Sequence, residues 1–482
     1  MWLVEGQHRS EQKGIRWMRL SHGSPALSAT FDDPNLVSAA GLAPVLALAA
    51  ECRLGDLVAE KLTLKAPGGV NATVKVPALV AGMVAGADSI ADMDLLRHGG
   101  MARLFAGIRA PSTLGTCPRA FTFGHVRQLD SIAAGVLTGL ARHTPLLTGA
   151  DQVAYLDVDD TVREVHGYAK QGAGFGYSGV RGLNALLATI STPLAAPVIG
   201  AARLRRGAVK SARGAGTLLG EALSTARACG AGGPDRGGLL LVRGDSAFYG
   251  HDVIATARRG GARFSITAKM TAAVTAAIAD IGESAWTPIH YPNAIFDDDQ
   301  QRWISDAEVA EVAFTAFTGR RKAEHVTARL IVRRVKRLAA AGTAAGQQEL
   351  FAAHRHHAVF TDSPLALLEA ESSHRGHAIV EQVIADLKSG PLAHLPSGKF
   401  AANSAWLVLA ATAFNLIRAA GTLASPFHAR ATTATIRAQL IAVPVRLAHS
   451  ARRLRLHLPR DWPWEQAWTR LFDATCGPPA PA

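Results

Sequence analysis

A chain of 482 residues has room for two to four domains of roughly 100–200 residues each, and its 48% hydrophobic content sustains a large core and excludes a wholly disordered chain. Lys and Arg outnumber Asp and Glu by 51 to 38, giving a net charge of +13 and a pI near 10. This excess points to a polyanion partner, nucleic acid before a membrane surface, although an Arg-rich composition produces the same excess and charge alone does not decide. The four cysteines, Cys52, Cys117, Cys229 and Cys476, form no Cys-x-x-Cys pair. Neither a zinc knuckle nor a disulfide framework is therefore expected, and a reducing cytoplasm is. The charged N-terminus lacks a signal-peptide core. The best apolar runs, 39–50 and 406–417, are 12 residues long against the roughly 20 that a span needs, and Thr412 and Asn415 interrupt the second. No membrane segment is predicted.

Residues 1–30 read as a disordered basic leader. A helical texture covers 31–148. Leu42, Val45, Leu46 and Leu48 open it, Leu57, Val58 and Leu62 continue it, and further helices are predicted at 79–86, 89–96 and 101–106. Ser89 and Asp92 form an N-cap pattern. Residues 112–116 read as a turn before a helix carrying Arg119, His125 and Arg127. Short helices with clustered Arg suit a DNA-binding module as well as an ordinary helical domain with a solvated basic face.

The texture changes after 150. Residues 153–159 alternate with period two, as a strand does, and a Gly-rich loop follows (Gly172, Gly174, Gly176, Gly179, Gly182). Strands are predicted at 183–191 and 194–204, a helix at 210–229, a buried strand at 239–242, a helix at 251–259 and a strand at 263–268. Three strands, helix, strand, helix, strand is the element order of a ribonuclease-H-like α/β fold. Residues 285–368 are β-rich, with strands expected at 285–291, 309–315, 326–335 and 350–360. Helices return over 369–424, and 425–482 is a basic, Pro-containing tail.

Two-metal phosphoryl transfer needs clustered carboxylates that hold two Mg²⁺ about 4 Å apart, best placed at strand ends and on a facing helix. Three segments supply them. Asp157, Asp159 and Asp160 lie at the end of the first strand, the first two on one face and the third opposed; a strand end turning into solvent would look the same. Asp245 directly follows the buried strand 239–242, where a turn-capping role is equally natural. In a helix starting near Ser372 or Ser373, His374, His377, Glu381 and Lys388 fall within roughly 60° of one another at ~100° per residue, beside an apolar stripe of Ile379, Val380, Val383, Ile384 and Leu387. A solvated amphipathic face is the ordinary account of that stripe.

Together these segments resemble the cut-and-paste DDE transposases of bacterial insertion sequences, in the ribonuclease-H-like group with a β-rich insertion. That group carries a signature of Tyr, two residues, Arg, three residues, Glu, six residues, Lys. Its spacing is kept at His374, His377, Glu381 and Lys388, with His at the Tyr and Arg positions and Arg375 one residue away. The family's first Asp, in an Asp-x-Thr context, falls on Asp159, with Asp157 as the alternative; its second falls on Asp245. The stretch from Asp245 to Glu381 is longer than that from Asp159 to Asp245, as an insertion before the final helices requires. Phe31 to Asn35, Leu96 to Gly100, Ala110 to Gly115 and Lys170 to Gly172 extend the likeness over about 31–425.

The resemblance implies that Asp159, Asp245 and Glu381 are the catalytic residues and the ligands of two Mg²⁺, with Mn²⁺ able to substitute. It implies hydrolytic cleavage at transposon ends, then attack of the released 3′-hydroxyl on target DNA. Lys388, Arg375, His374 and His377 would face DNA phosphates, with His374 alternatively a neutral hydrogen-bonding replacement for Tyr. The partners would be double-stranded DNA, both terminal inverted repeats and target, and a second copy of the chain in a paired-end homodimer, in a bacterial cytoplasm at the nucleoid. The expected organisation is leader 1–30, helical DNA-binding region 31–148, catalytic core 149–284, insertion 285–368, core helices 369–424 and basic tail 425–482. The competing readings are a nuclease of the same fold without strand transfer and an inactive or domesticated DNA-binding protein. A zinc site built from His354, His356, His357, His374 and His377 lacks cysteine partners and regular spacing.

Overall fold

The computed structural model describes residues 27–477 apart from 177, 236, 290–295, 298–301, 304–306, 337–353 and 451–452; most of the expected leader lies outside the described residues. Strand β1 (Leu36–Val37) precedes helices α1 (Leu42–Glu51), α2 (Leu54–Lys61), α3 (Ala72–Ala85), α4 (Met101–Leu104), α5 (Pro111–Arg119) and α6 (Phe123–His143). The Ser89–Asp92 pattern is a reciprocal cap. The Ser89 N–H and Oγ–H donate to Asp92 Oδ2 at 3.0 and 2.8 Å, and the Asp92 N–H donates back to Ser89 Oγ at 3.3 Å, closing a 3₁₀ turn over Ala91–Leu96. The turn expected at 112–116 is the body of α5. Pro111 sits in its first turn, where a missing N–H costs nothing, and burial of Leu114 and Cys117 overrides the turn-forming Ser, Thr and Gly.

The core follows as β2 (Val153–Glu164), β3 (Gly174–Phe175), β4 (Arg181–Ser191), β5 (Val198–Arg206), α7 (Ala215–Ala228), β6 (Leu239–Gly244), α8 (His251–Arg259) and β7 (Arg263–Thr267). Its strands run β5-β4-β2-β6-β7, antiparallel across the first three and parallel across the last three. This is the mixed ribonuclease-H-like sheet. After its first residue β4 is buried throughout, so its continuous apolar run is that of a strand covered on both faces. The Gly-rich loop closes where β3 and β5 meet β4. A Cβ on Gly207 would stand 2.0 Å from Gly182 O and 2.3 Å from Gly174 O, so no larger residue fits that crossing.

After α9 (Ala272–Ala279) come β8 (Thr287–Ile289), the small pair β9 (Phe296–Asp297) and β10 (Arg302–Trp303), and β11 (Ala307–Ala316), β12 (Val326–Lys336) and β13 (His354–Thr361). β13 pairs antiparallel with β7, and β12, β11 and β8 follow in turn. The β-rich segment therefore extends the core sheet to ten strands.

The helices that return are α10 (Leu367–Arg375), α11 (Ile379–Lys388), α12 (Phe400–Ala424), α13 (Pro426–Arg430) and α14 (Thr433–Ile436). α12 is long and apolar enough to cross a membrane, but 89% of its most apolar window is buried inside the protein, against β5, α3, α6 and α13. The polar residues that interrupt its apolar run have internal partners. Asn415 accepts from the Ile199 N–H at 2.8 Å and donates to its carbonyl at 2.9 Å, beside a register shift between β4 and β5. The Thr412 hydroxyl bonds back to Val408 O. The basic C-terminal segment is folded: β14 (Val445–Ser450) pairs with β1 and β15 (Arg453–His457), and α15 (Glu465–Cys476) packs on α1 and α12.

Candidate active site

Asp157, Asp159 and Thr161 project from one face of β2, because side chains alternate along a strand. The strand does not end there; it runs on to Glu164. What ends is its pairing with β6: the parallel register closes at Val158 opposite Gly244. One residue further, Asp159 and Asp245 are neighbours at the point where the two strands part. Helix α11 crosses this face of β2, and Lys388 Nζ donates to Thr161 Oγ1 at 2.9 Å.

The structure separates the three Asp residues of β2. Asp157 is fully buried and held by Arg243, whose Nε and Nη2 donate to its two oxygens at 2.6 and 2.7 Å. Asp160 faces the opposite side, where Arg205 Nη2 (2.5 Å), Asn184 Nδ2 (2.7 Å) and Ser211 Oγ (3.0 Å) donate to it. Both are neutralised internally. Asp159 keeps one local hydrogen bond, from the Asp160 N–H at 2.7 Å. Burial pushes its pKa up to about 7; that hydrogen bond opposes the rise, and the charges of Asp245, Asp160 and Glu381 add to it. Asp245 performs the turn-capping role, accepting from the Ala247 N–H at 2.9 Å with one oxygen, and still faces Asp159. Its pKa is raised by desolvation, while the Ala247 hydrogen bond and His377 pull it down. Among the described residues, none of Asp159, Asp245 and Glu381 forms an ion pair.

The helix predicted from Ser372 or Ser373 begins earlier and is interrupted. α10 ends at Arg375, a 3₁₀ turn covers Gly376–Ala378 and α11 starts at Ile379. The wheel drawn through His374 is therefore not a regular one, yet His377, Glu381 and Lys388 all reach the β2 face. Asp157 and Asp245 sense His377, and Asp159 senses Glu381. His374 is different. It is 4% exposed, and its ring nitrogens bond Ser265 Oγ and Thr267 Oγ1 of β7, each at 3.0 Å. Burial lowers its pKa to about 3. It is a neutral buried ring with both nitrogens occupied, which corrects the expectation of a phosphate contact and leaves the neutral alternative. Arg375 is engaged by buried Glu371 at 2.9 Å, with its side chain still 38% exposed.

Two residues with no prior assignment matter here, Arg243 and Arg205, which neutralise the neighbours of Asp159. Arg243 precedes Asp245 by the same two positions by which Asp157 precedes Asp159, a parallel in spacing that could have paired them. A cavity of about 420 Å³ opens beside Arg243, Gly376 and Asp386. None of the three carboxylates lines it.

A family model described as Transposase DDE domain group 1 matches residues 21–475. The chain belongs to this DDE transposase family. A search of curated proteins gives no match. Transposases of this family depend on divalent metal ions. Among the described residues no three His, Cys, Asp or Glu side chains stand close enough together to hold a metal ion. The charges of Asp245 and Glu381 both bear on Asp159. Their chemistry nonetheless fits a hard divalent cation: oxygen donors only, no competing ion pair, and a surplus of negative charge.

Proposed function

We propose that this transposase cuts and rejoins DNA with divalent cations, Mg²⁺ or Mn²⁺, held by Asp159, Asp245 and Glu381. The observation that carries the reading is selective neutralisation: of the acidic groups on and beside this face, Asp157 and Asp160 are paired internally, while Asp159, Asp245 and Glu381 form no ion pair among the described residues and the charges of Asp245 and Glu381 bear on Asp159. When bound there, the metal would activate the attacking oxygen and offset charge at the phosphate. The protein's own part is positioning. The Ala247 N–H fixes the Asp245 carboxylate, the Asp160 N–H fixes that of Asp159, and Thr161 orients the Lys388 ammonium. Lys388 and His377 flank the carboxylates and would meet the backbone of the bound strand.

On this reading residues 31–148, with the basic C-terminal segment, recognise terminal inverted repeats, and two chains hold two DNA ends together. Cleavage of DNA bearing the element's own inverted repeats, comparing wild type with Glu381→Gln, tests the assignment. Loss of cleavage with DNA binding retained is the expected result, and equal cleavage by both proteins removes Glu381 from the site. A pre-cut end bearing a 3′-hydroxyl should be joined to target DNA; cleavage without joining would make the protein a nuclease.

A further inference from the structure

The geometry points to Arg243 as the positioning residue that holds all three carboxylate-bearing segments in register; this rests on the reading of Asp159, Asp245 and Glu381 as the metal-binding set. Arg243 is 3% exposed, and each of its three nitrogens is used. Nε and Nη2 grip Asp157, on the same face of β2 as Asp159 and two residues before it. Nη1 donates to the carbonyl of Ser373 at 2.5 Å. That carbonyl lies in the last turn of α10, where helical carbonyls lose their intrahelical partners and a cation is favoured. Arg243 itself sits two residues before Asp245. One guanidinium therefore binds the strand of Asp159, the strand of Asp245 and the helical segment that leads into Glu381.

The surroundings fix the fork. The guanidinium lies 3.9 Å from the centroid of the Tyr155 ring. Residue 376 is Gly, and a Cβ there would stand 3.0 Å from Nη1. β2 and β6 are also joined by their ladder, so the link that only Arg243 adds to them is the one to Ser373. A slip of one residue along a helix moves it by ~1.5 Å, whereas a metal-binding constellation tolerates about 0.5 Å. Lys carries the charge but not the planar three-way fork.

A buried ion pair can also be a replaceable piece of core, and an apolar pair of similar volume often restores stability. The test separates the two roles. Full-length wild type, Arg243→Lys, the double variant Asp157→Leu with Arg243→Met, and Asp159→Asn are compared without DNA. Mn²⁺ binding is read from the free-ion electron paramagnetic resonance signal, and folding from thermal unfolding in EDTA. The expected result is Mn²⁺ affinity at least tenfold weaker in folded Arg243→Lys, and equally weak in the double variant even where its unfolding temperature returns to that of wild type. Affinity within twofold of wild type in either folded variant overturns the positioning role and makes the pair core packing alone. If Asp159→Asn binds Mn²⁺ like wild type, the carboxylate set itself is wrong and both readings fall.

Discussion

Replacing Asp159 by Asn should stabilise the metal-free protein above neutral pH, and the gain should vanish as the pH falls towards 4. The cause is the cost of ionising a half-buried carboxyl that faces Asp245 and Glu381. Its pKa is 3.8 when unconstrained and about 7 in the fold. Below the lower value both states are protonated and the residue contributes nothing. Between the two values the folded state holds a proton that the unfolded state has lost, so stability falls as pH rises. Above about 7 the full penalty applies, at most ~4 kcal/mol at 1.36 kcal/mol per pH unit, and on the order of 2–4 kcal/mol once water reaching the exposed part is allowed for. Asn keeps an oxygen for the Asp160 N–H and removes the charge. At ~2.1 cal/mol/K of unfolding entropy per residue, 1 kcal/mol is about 1 °C for a chain of this size. Thermal unfolding in EDTA at about pH 8.5 and about pH 4.5 should therefore show Asn melting ~2–4 °C above wild type at the higher pH and within ~1 °C at the lower. An equal shift at both pH values, or a loss at the higher one, would refute the argument. Mg²⁺ or Mn²⁺ should reverse the order, stabilising wild type and leaving the variant behind.

Other expectations follow from neighbouring groups. Asp160→Ala should cost about 3–5 kcal/mol, because it strands Arg205 in the core without its carboxylate; denaturant unfolding measures the loss, and a variant as stable as wild type would contradict the role. His374→Gln should remove an acid sensitivity. The unfolded ring takes up a proton near 6.5 while the buried ring resists until about 3, so wild type loses stability as pH falls through that window and the Gln variant loses less, as melting temperatures at about pH 4 and about pH 7 would show. Lys388→Met should weaken DNA binding uniformly across sequences and lower the slope of log affinity against log salt by about one; an unchanged slope in a filter-binding titration would mean that this ammonium meets no phosphate.

Local chemistry made much of this protein legible in its sequence. Periodicity located β2, β4, β6, β7 and α8 to within a few residues, because strands and helices impose their repeat on whichever residues face the core. The three carboxylates stood out because each sits beside a strong element: a strand, a strand end, a helix face. Tertiary structure decided what those charges do. Asp157, Asp159 and Asp160 are equivalent as residue types, and only the register of β2 against β6, and of β5 across β4, brings Arg243 to the first and Arg205 to the third, leaving the middle one uncompensated. The same holds for His374, whose place in the spacing suggested a DNA contact until β7 supplied two hydroxyls and buried it, and for Asn415, whose amide is satisfied by a strand that lies 216 residues away along the chain. A charge or an amide is the same group everywhere in a sequence. Its partners come from distant segments, and these determine whether it is neutralised or left exposed to act.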